Sequence, residues 1–153
     1  MIRHLFSLVC RRYIQDALTG NSSFIDCVDS VHLDALPELQ EGSGVLIPVD
    51  VQIVSHWTRD DIDTPERGRA RLRLAMPNGS EIPGMEFPID LSEKPNNRVI
   101  TPLPLHPCTG PGRYWHVIDL QRPDGSWAEV TRIPVAIDIG PPSSHEEPPT
   151  PPP

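Results

Sequence analysis

The sequence predicts an all-β chain, an antiparallel immunoglobulin-like β-sandwich of about 7-8 strands, carried by residues 1–139 and followed by a disordered Pro-rich C-terminal tail, 140–153. Three observations predict it. Apolar and polar residues alternate with period two through most of the chain, turn signatures recur at intervals of roughly 8 to 15 residues, and no helical period is sustained.

The first strand spans residues 2–14, with Phe6, Leu8, Cys10 and Ile14 on one face and Ser7, Arg11 and Tyr13 on the other. "DALTGN" at 16–21 supplies a turn, and 23–33 returns with Ile25, Cys27, Val31 and Leu33 in phase. The polar segment 37–44 is a loop that crosses between sheets. Val49, Val51, Ile53, Ser55 and Trp57 then face one way and Asp50, Gln52 and His56 the other. In "RGRARLRLA" the arginines 67, 69, 71 and 73 share a face, and Ala70, Leu72 and Leu74 take the opposite one.

After the turn "PNGS", Met85, Phe87, Ile89 and Leu91 alternate, and Pro88 marks an edge or interrupted strand. Residues 99–105 are extended but broken by Pro102 and Pro104, and 106–112 are an irregular connection. The clearest hairpin follows. Tyr114, His116, Ile118 and Leu120 alternate with Trp115, Val117 and Asp119, "RPDGS" turns the chain, and Ile133, Val135, Ile137 and Ile139 return in phase. The last fourteen residues hold seven prolines and no large apolar side chain, so a place in a core is not expected for them.

A chain of 153 residues fits one domain. Twelve arginines against one lysine are what a GC-rich coding sequence tends to produce, a bias before it is a function. The formal net charge of −8 argues against general binding to nucleic acid or anionic lipid. The apolar run Leu5–Cys10 is shorter than a secretory core, and no run reaches the length of a membrane span. The expectation is a cytoplasmic protein, not associated with a membrane, in which the three cysteines stay reduced.

The opening strand ending in Cys10, the turn with Gly20 and Asn21, "SSFIDCVDSVHL" running into Pro37, the arginine-rich strand and the ending "GPGRYWHVIDLQRPDGSWAEVTRIPVAI" carry a resemblance. In this order of parts the chain resembles an uncharacterised bacterial family of short β-sandwich proteins, a domain of unknown function, over residues 2–139 in outline. The resemblance implies the sandwich fold and brings no activity, cofactor or partner with it. The tail and His106-Pro107-Cys108 depart from the family pattern.

Four groups of side chains are candidates for function. Cys10 and Cys27 fall opposite one another if the turn is symmetric, and are read as a structural pair filling adjacent core positions, with a reversible disulfide or a metal pair as alternatives. His106, Cys108 and His116 are donors of the type zinc takes, although their spacing fits neither a finger nor a ribbon. Asp60, Asp61, Asp63 and Glu66 form an acidic loop without the EF-hand pattern, read as solvated. Arg67, Arg69, Arg71 and Arg73 need carboxylates, from Glu81, Glu86, Asp50 and Glu129 or from an acidic partner.

Nucleophile elbows, glycine-rich phosphate loops and H-E-x-x-H are absent from the sequence. The expectation is therefore a non-enzymatic protein-binding module acting through a sheet face or the loops at one end, with no cofactor. The alternatives are a small metal-dependent or ligand-binding enzyme around His106, Cys108 and His116, and a structural subunit of a larger assembly.

Overall fold

A computed structural model describes residues 1–35 and 44–140, and among these it places ten strands in two sheets and no helix. The first sheet has the order β2 (Ser22–Cys27), β1 (Ile2–Gln15), β4 (Val45–Arg59) and β8 (Asn96–Cys108). The second runs β3 (Ser30–Leu33), β10 (Trp127–Ile139), β9 (Gly112–Gln121), β5 (Glu66–Ala75) and β6 (Glu81–Ile82), with β7 (Glu86–Leu91) also on β5. All pairings are antiparallel except β3 with β10. All of the expected tail but Gly140, and all of the expected loop at 37–44 but Gly44, fall outside the described residues.

One hydrophobic cluster joins the sheets: Val9, Ile53 and Trp57 from the first meet Ile89, Tyr114, Ile118 and Val135 from the second. Trp57, Tyr114, Ile53 and Ile118 are almost fully enclosed, and burying a large apolar side chain contributes about 1.5 to 3 kcal/mol. In β4, Ile47, Val49, Val51, Ile53 and Trp57 are all buried, as their spacing predicts. The alternation carries across an irregularity between Pro48 and Val51, where Asp50 takes a φ of 45°.

Strand β1 departs from expectation. Val9 lies opposite Ile53 and enters the core, whereas Leu8 faces Val54 and Cys10 faces Gln52 on the outward side. Both phases of this strand are apolar at several positions, so alternation alone does not decide its orientation, and the partner strand does. A bulge between His4 and Phe6 shifts the register further.

The segment expected as one strand from 23 to 33 is two. After Cys27 the chain leaves the first sheet and β3 pairs in parallel with β10, Val31 opposite Ile137 and Leu33 opposite Ile139. Asp26 has a φ of 53°, a left-handed conformation that interrupts the ladder where the crossing begins. The strand count exceeds the expected 7-8 through this division and the two-residue β6.

Residues 99–108 are also more regular than expected. Pro102, Pro104 and Pro107 all sit within β8, an edge strand, where a missing amide leaves no ladder bond unmade on the open side.

On the other sheet, β6 and β7 share one edge of β5, and the chain between them closes over its backbone. A Cβ at Gly84 would stand 0.9 Å from the Leu72 carbonyl oxygen, while Leu72 N–H donates to the Met85 carbonyl at 2.9 Å. Only glycine permits that approach. Gly84→Ala is expected to lower unfolding free energy by about 3 kcal/mol or more, read as a shift of the urea midpoint with unchanged slope. A midpoint equal to the parent's would show that this crossing has room to spare.

Candidate functional site

The arginine stripe of β5 lies on the outward face of its sheet and meets a carboxylate at every position. Arg67 Nε is 3.1 Å from Asp90, and Arg69 is 3.0 Å from Glu86. Arg71 Nε and Arg73 Nε each stand 2.7 Å from Asp119 Oδ2, and Arg73 reaches Glu81 at 2.5 Å. Glu129 lies 3.9 Å from Arg73 and bonds Arg132 as well. The expected counter-charges Glu81, Glu86 and Glu129 are in place, and Asp50, on the other sheet, takes no part. Asp90 and Asp119 were missed.

Asp119 is the centre of this face. It is 1% exposed, at a β9 position where alternation predicts an outward residue. Burial works to raise its pKa, but the hydrogen bonds and charges of Arg73 and Arg71 outweigh it and hold the carboxyl below its ordinary range. Asp119 also raises the pKa of Arg73, with Glu81 adding to the effect. Trp127 completes the surround, with the Arg71 guanidinium 4.6 Å above its ring.

The stripe is therefore two different surfaces. Arg71 and Arg73 are locked into the sheet, whereas Arg67 and Arg69, 74% and 62% exposed at their side chains, make solvated pairs of small net value. These two also border a groove of about 870 Å³ at one end of the molecule. Ile2, Leu120, Ala128 and Val130 give it apolar walls, and Arg122 adds a third cation. Gly68 forms part of the wall and leaves space for the Ile2 side chain, which would stand 2.6 Å from a Cβ there.

His106 and His116 are brought together and Cys108 is not added to them. The two rings lie edge to face with centroids 5.1 Å apart, and both residues are 3% exposed. His106 Nδ1 donates to the Pro107 carbonyl at 2.7 Å, since a carbonyl only accepts, so its Nε2 carries the lone pair. The Nε2 atoms of both histidines are buried and find no hydrogen-bond partner among the described residues, and both rings line a small cavity of about 150 Å³ walled by Leu72, Leu74, Leu103 and Leu105. Cys108 Sγ instead faces the Gly110 carbonyl and the Tyr114 hydroxyl, each at 3.6 Å. Among the described residues no three His, Cys, Asp or Glu side chains are grouped to hold a metal. The candidate three-residue set is not assembled, because Tyr114 draws the thiol into its own hydrogen-bond cluster.

The acidic loop satisfies itself. Asp61 accepts from the Asp63 amide at 3.0 Å and the Thr64 hydroxyl at 2.5 Å, and Asp60 pairs with Arg3. Cys10 and Cys27 do stand opposite one another across β1 and β2. Only Cys10 is buried; Cys27 is exposed. The reading of both as core residues is thus corrected: the pair lies on the outward side that the orientation of β1 dictates, where Cys10 is covered and Cys27 is not.

Two predictions test these sites. Asp119→Asn leaves Arg71 and Arg73 facing each other without the charge that joins them, and is expected to cost about 2 to 4 kcal/mol in urea unfolding; Arg69→Ala, at an exposed pair, should change stability little. The second concerns acid. Burial, then the neighbouring His106, push the His116 pKa from 6.5 down to about 4. The unfolded chain therefore binds the extra proton between these values, so this contribution is complete above pH 6.5 and is lost as pH falls towards 4. Going from pH 7 to pH 4.5 is expected to remove about 2.5 kcal/mol of stability, and His116→Leu should flatten that part of the profile.

Comparison with known proteins adds little to this geometry. No family model and no curated protein matches the chain, so the bacterial family resemblance rests on its quoted segments alone. Among solved structures, the soluble domain of PmoD from Methylocystis sp. (Rockwell) aligns over 88% of this chain and 95% of its own at 11% identity, with a TM-score of 0.31, a likeness too slight to carry an argument.

Proposed function

We propose that this protein is a non-enzymatic binding module, and that the groove beside Arg67 and Arg69 receives a segment of a protein partner carrying carboxylates next to apolar side chains. The observation that carries the reading is the groove itself, about 870 Å³ with apolar walls and exposed arginines at its border. Its size is within the range of ligand sites. The two arginines are available because their present partners, Asp90 and Glu86, are themselves 52% and 44% exposed and exchange readily with water or with a competing carboxylate. A cytoplasmic setting, in which thiols are held reduced unless the redox poise shifts, goes with this reading.

An immunoglobulin-like identity for the sandwich belongs to the same proposal. Neighbouring β1, β4 and β8 in one sheet and β5, β9 and β10 in the other follow the order of the A, B, E and C, F, G strands of such domains. Tyr114, near the start of β9, also returns its hydroxyl to the backbone just upstream. It donates to the Gly110 carbonyl and accepts from the Thr109 amide, each at 2.8 Å, as a tyrosine corner does.

The test is selection of peptides from a random displayed library on the intact chain. Recovered peptides should combine Asp or Glu with large apolar residues, and the double variant Arg67→Glu/Arg69→Glu should bind them at least tenfold more weakly. Arg12→Glu, on the other sheet, should bind them as the parent does. Equal binding by the double variant would move the surface elsewhere, and a library that yields no binder would count against a binding module.

A further inference from the structure

We propose that Cys10 and Cys27 form a reversible intramolecular disulfide that fastens the β1–β2 hairpin. The inference is independent of the groove and rests on register. The two residues are direct partners across the antiparallel pair. Immediately beside them the Val28 amide donates to the Val9 carbonyl at 2.9 Å, the bond that flanks a non-hydrogen-bonded position. At such positions facing side chains are closest, with Cα atoms about 4.5 Å apart, inside the range of about 4.4 to 6.8 Å that a disulfide spans.

The environments of the thiols differ in a way that orders the reaction. Cys27 is exposed and can be reached by a reagent, whereas Cys10 is buried, which with the nearby Cys27 pushes its thiol pKa up. A small-molecule disulfide such as oxidised glutathione supplies the oxidising equivalents. The Cys27 thiolate attacks one of its sulfurs, forming a mixed disulfide and releasing one glutathione thiolate. Cys10, giving up its proton, then attacks Cys27 Sγ and releases the second glutathione thiolate. Two cysteine thiols are oxidised and one glutathione disulfide is reduced to two thiols. Cys108, buried against Gly110 and Tyr114, is out of reach of this exchange and leaves a single choice of pairing.

The bond would act on the least anchored part of the first sheet. Among the described residues β2 is an edge strand whose ladder in that sheet is with β1 alone, and Asp26, beside Cys27, is held in a left-handed conformation. In the reduced protein this hairpin can open from the Cys27 end. The disulfide closes it.

The experiment incubates the full chain with glutathione buffers from reducing to oxidising, then digests it under alkylating conditions. The expected product is a cross-linked pair of peptides holding Cys10 and Cys27, with Cys108 alkylated, a rise in Tm of roughly 5 to 10 °C, and full reversal by dithiothreitol. Cys27→Ser, a change at an exposed position, should keep the reduced parent's Tm and lose both the cross-link and the oxidative shift. Three alkylated thiols under the most oxidising buffer, a stable glutathione adduct on Cys27, or the same Tm rise in Cys27→Ser would each overturn the proposal.

Discussion

A carboxylate taken out of water in the middle of a sheet must be matched from its immediate neighbours, and Asp119 imposes that condition on the second sheet. Its strand, β9, lies between β5 and β10, so its partners come from side chains of adjacent strands. Arg71 and Arg73 supply them from β5, and Trp127 closes over the first of these from the start of β10. Their register then fixes the rest of the stripe. With Arg71 and Arg73 committed to Asp119, Arg69 and Arg67 emerge two and four residues before Arg71, towards the start of the strand, where the sheet ends and the groove begins.

This division resolves what a row of four cations is for. Taken as a row, the arginines look like one basic surface. In three dimensions half of it is internal structure, and only the exposed half is chemically free to exchange partners. The histidine pair shows the same economy in reverse. His106 and His116 sit among leucines as neutral rings, and the Pro107 carbonyl sets the tautomer of the first. Their meeting comes from sheets facing each other, one ring on β8 and one on β9.

Legibility in the sequence followed the sharpness of each alternation. Strands β4, β5, β9 and β10 place one clean apolar face against the core, and their orientation can be read directly from residues such as Ile53, Leu72, Ile118 and Val135. β1 was ambiguous because Leu8 and Val9 are equally apolar and differ only in which one meets Ile53. The passage of the chain from one sheet to the other after Cys27 was hidden, since Val31 and Leu33 keep the phase of Ile25 and Cys27 while changing partners. Of the candidate sites, the arginines and the opposed cysteines were visible as spacing. Asp119 carried a faint signal, the lone acid of its hairpin strand, and the groove, made from four separate stretches of chain, carried none.

The three prolines of β8 have a consequence for how copies of this chain can meet. They blunt one border of the first sheet, since a strand arriving there would find amides missing. The opposite border, formed by β2 and the length of β1 beyond it, has no such guard among the described residues. A sheet with a single sticky border can extend only by joining like to like, which closes on itself as a twofold pair and leaves no site for a third chain. Growth into a fibre needs two compatible borders, and along this sheet the prolines withhold the second.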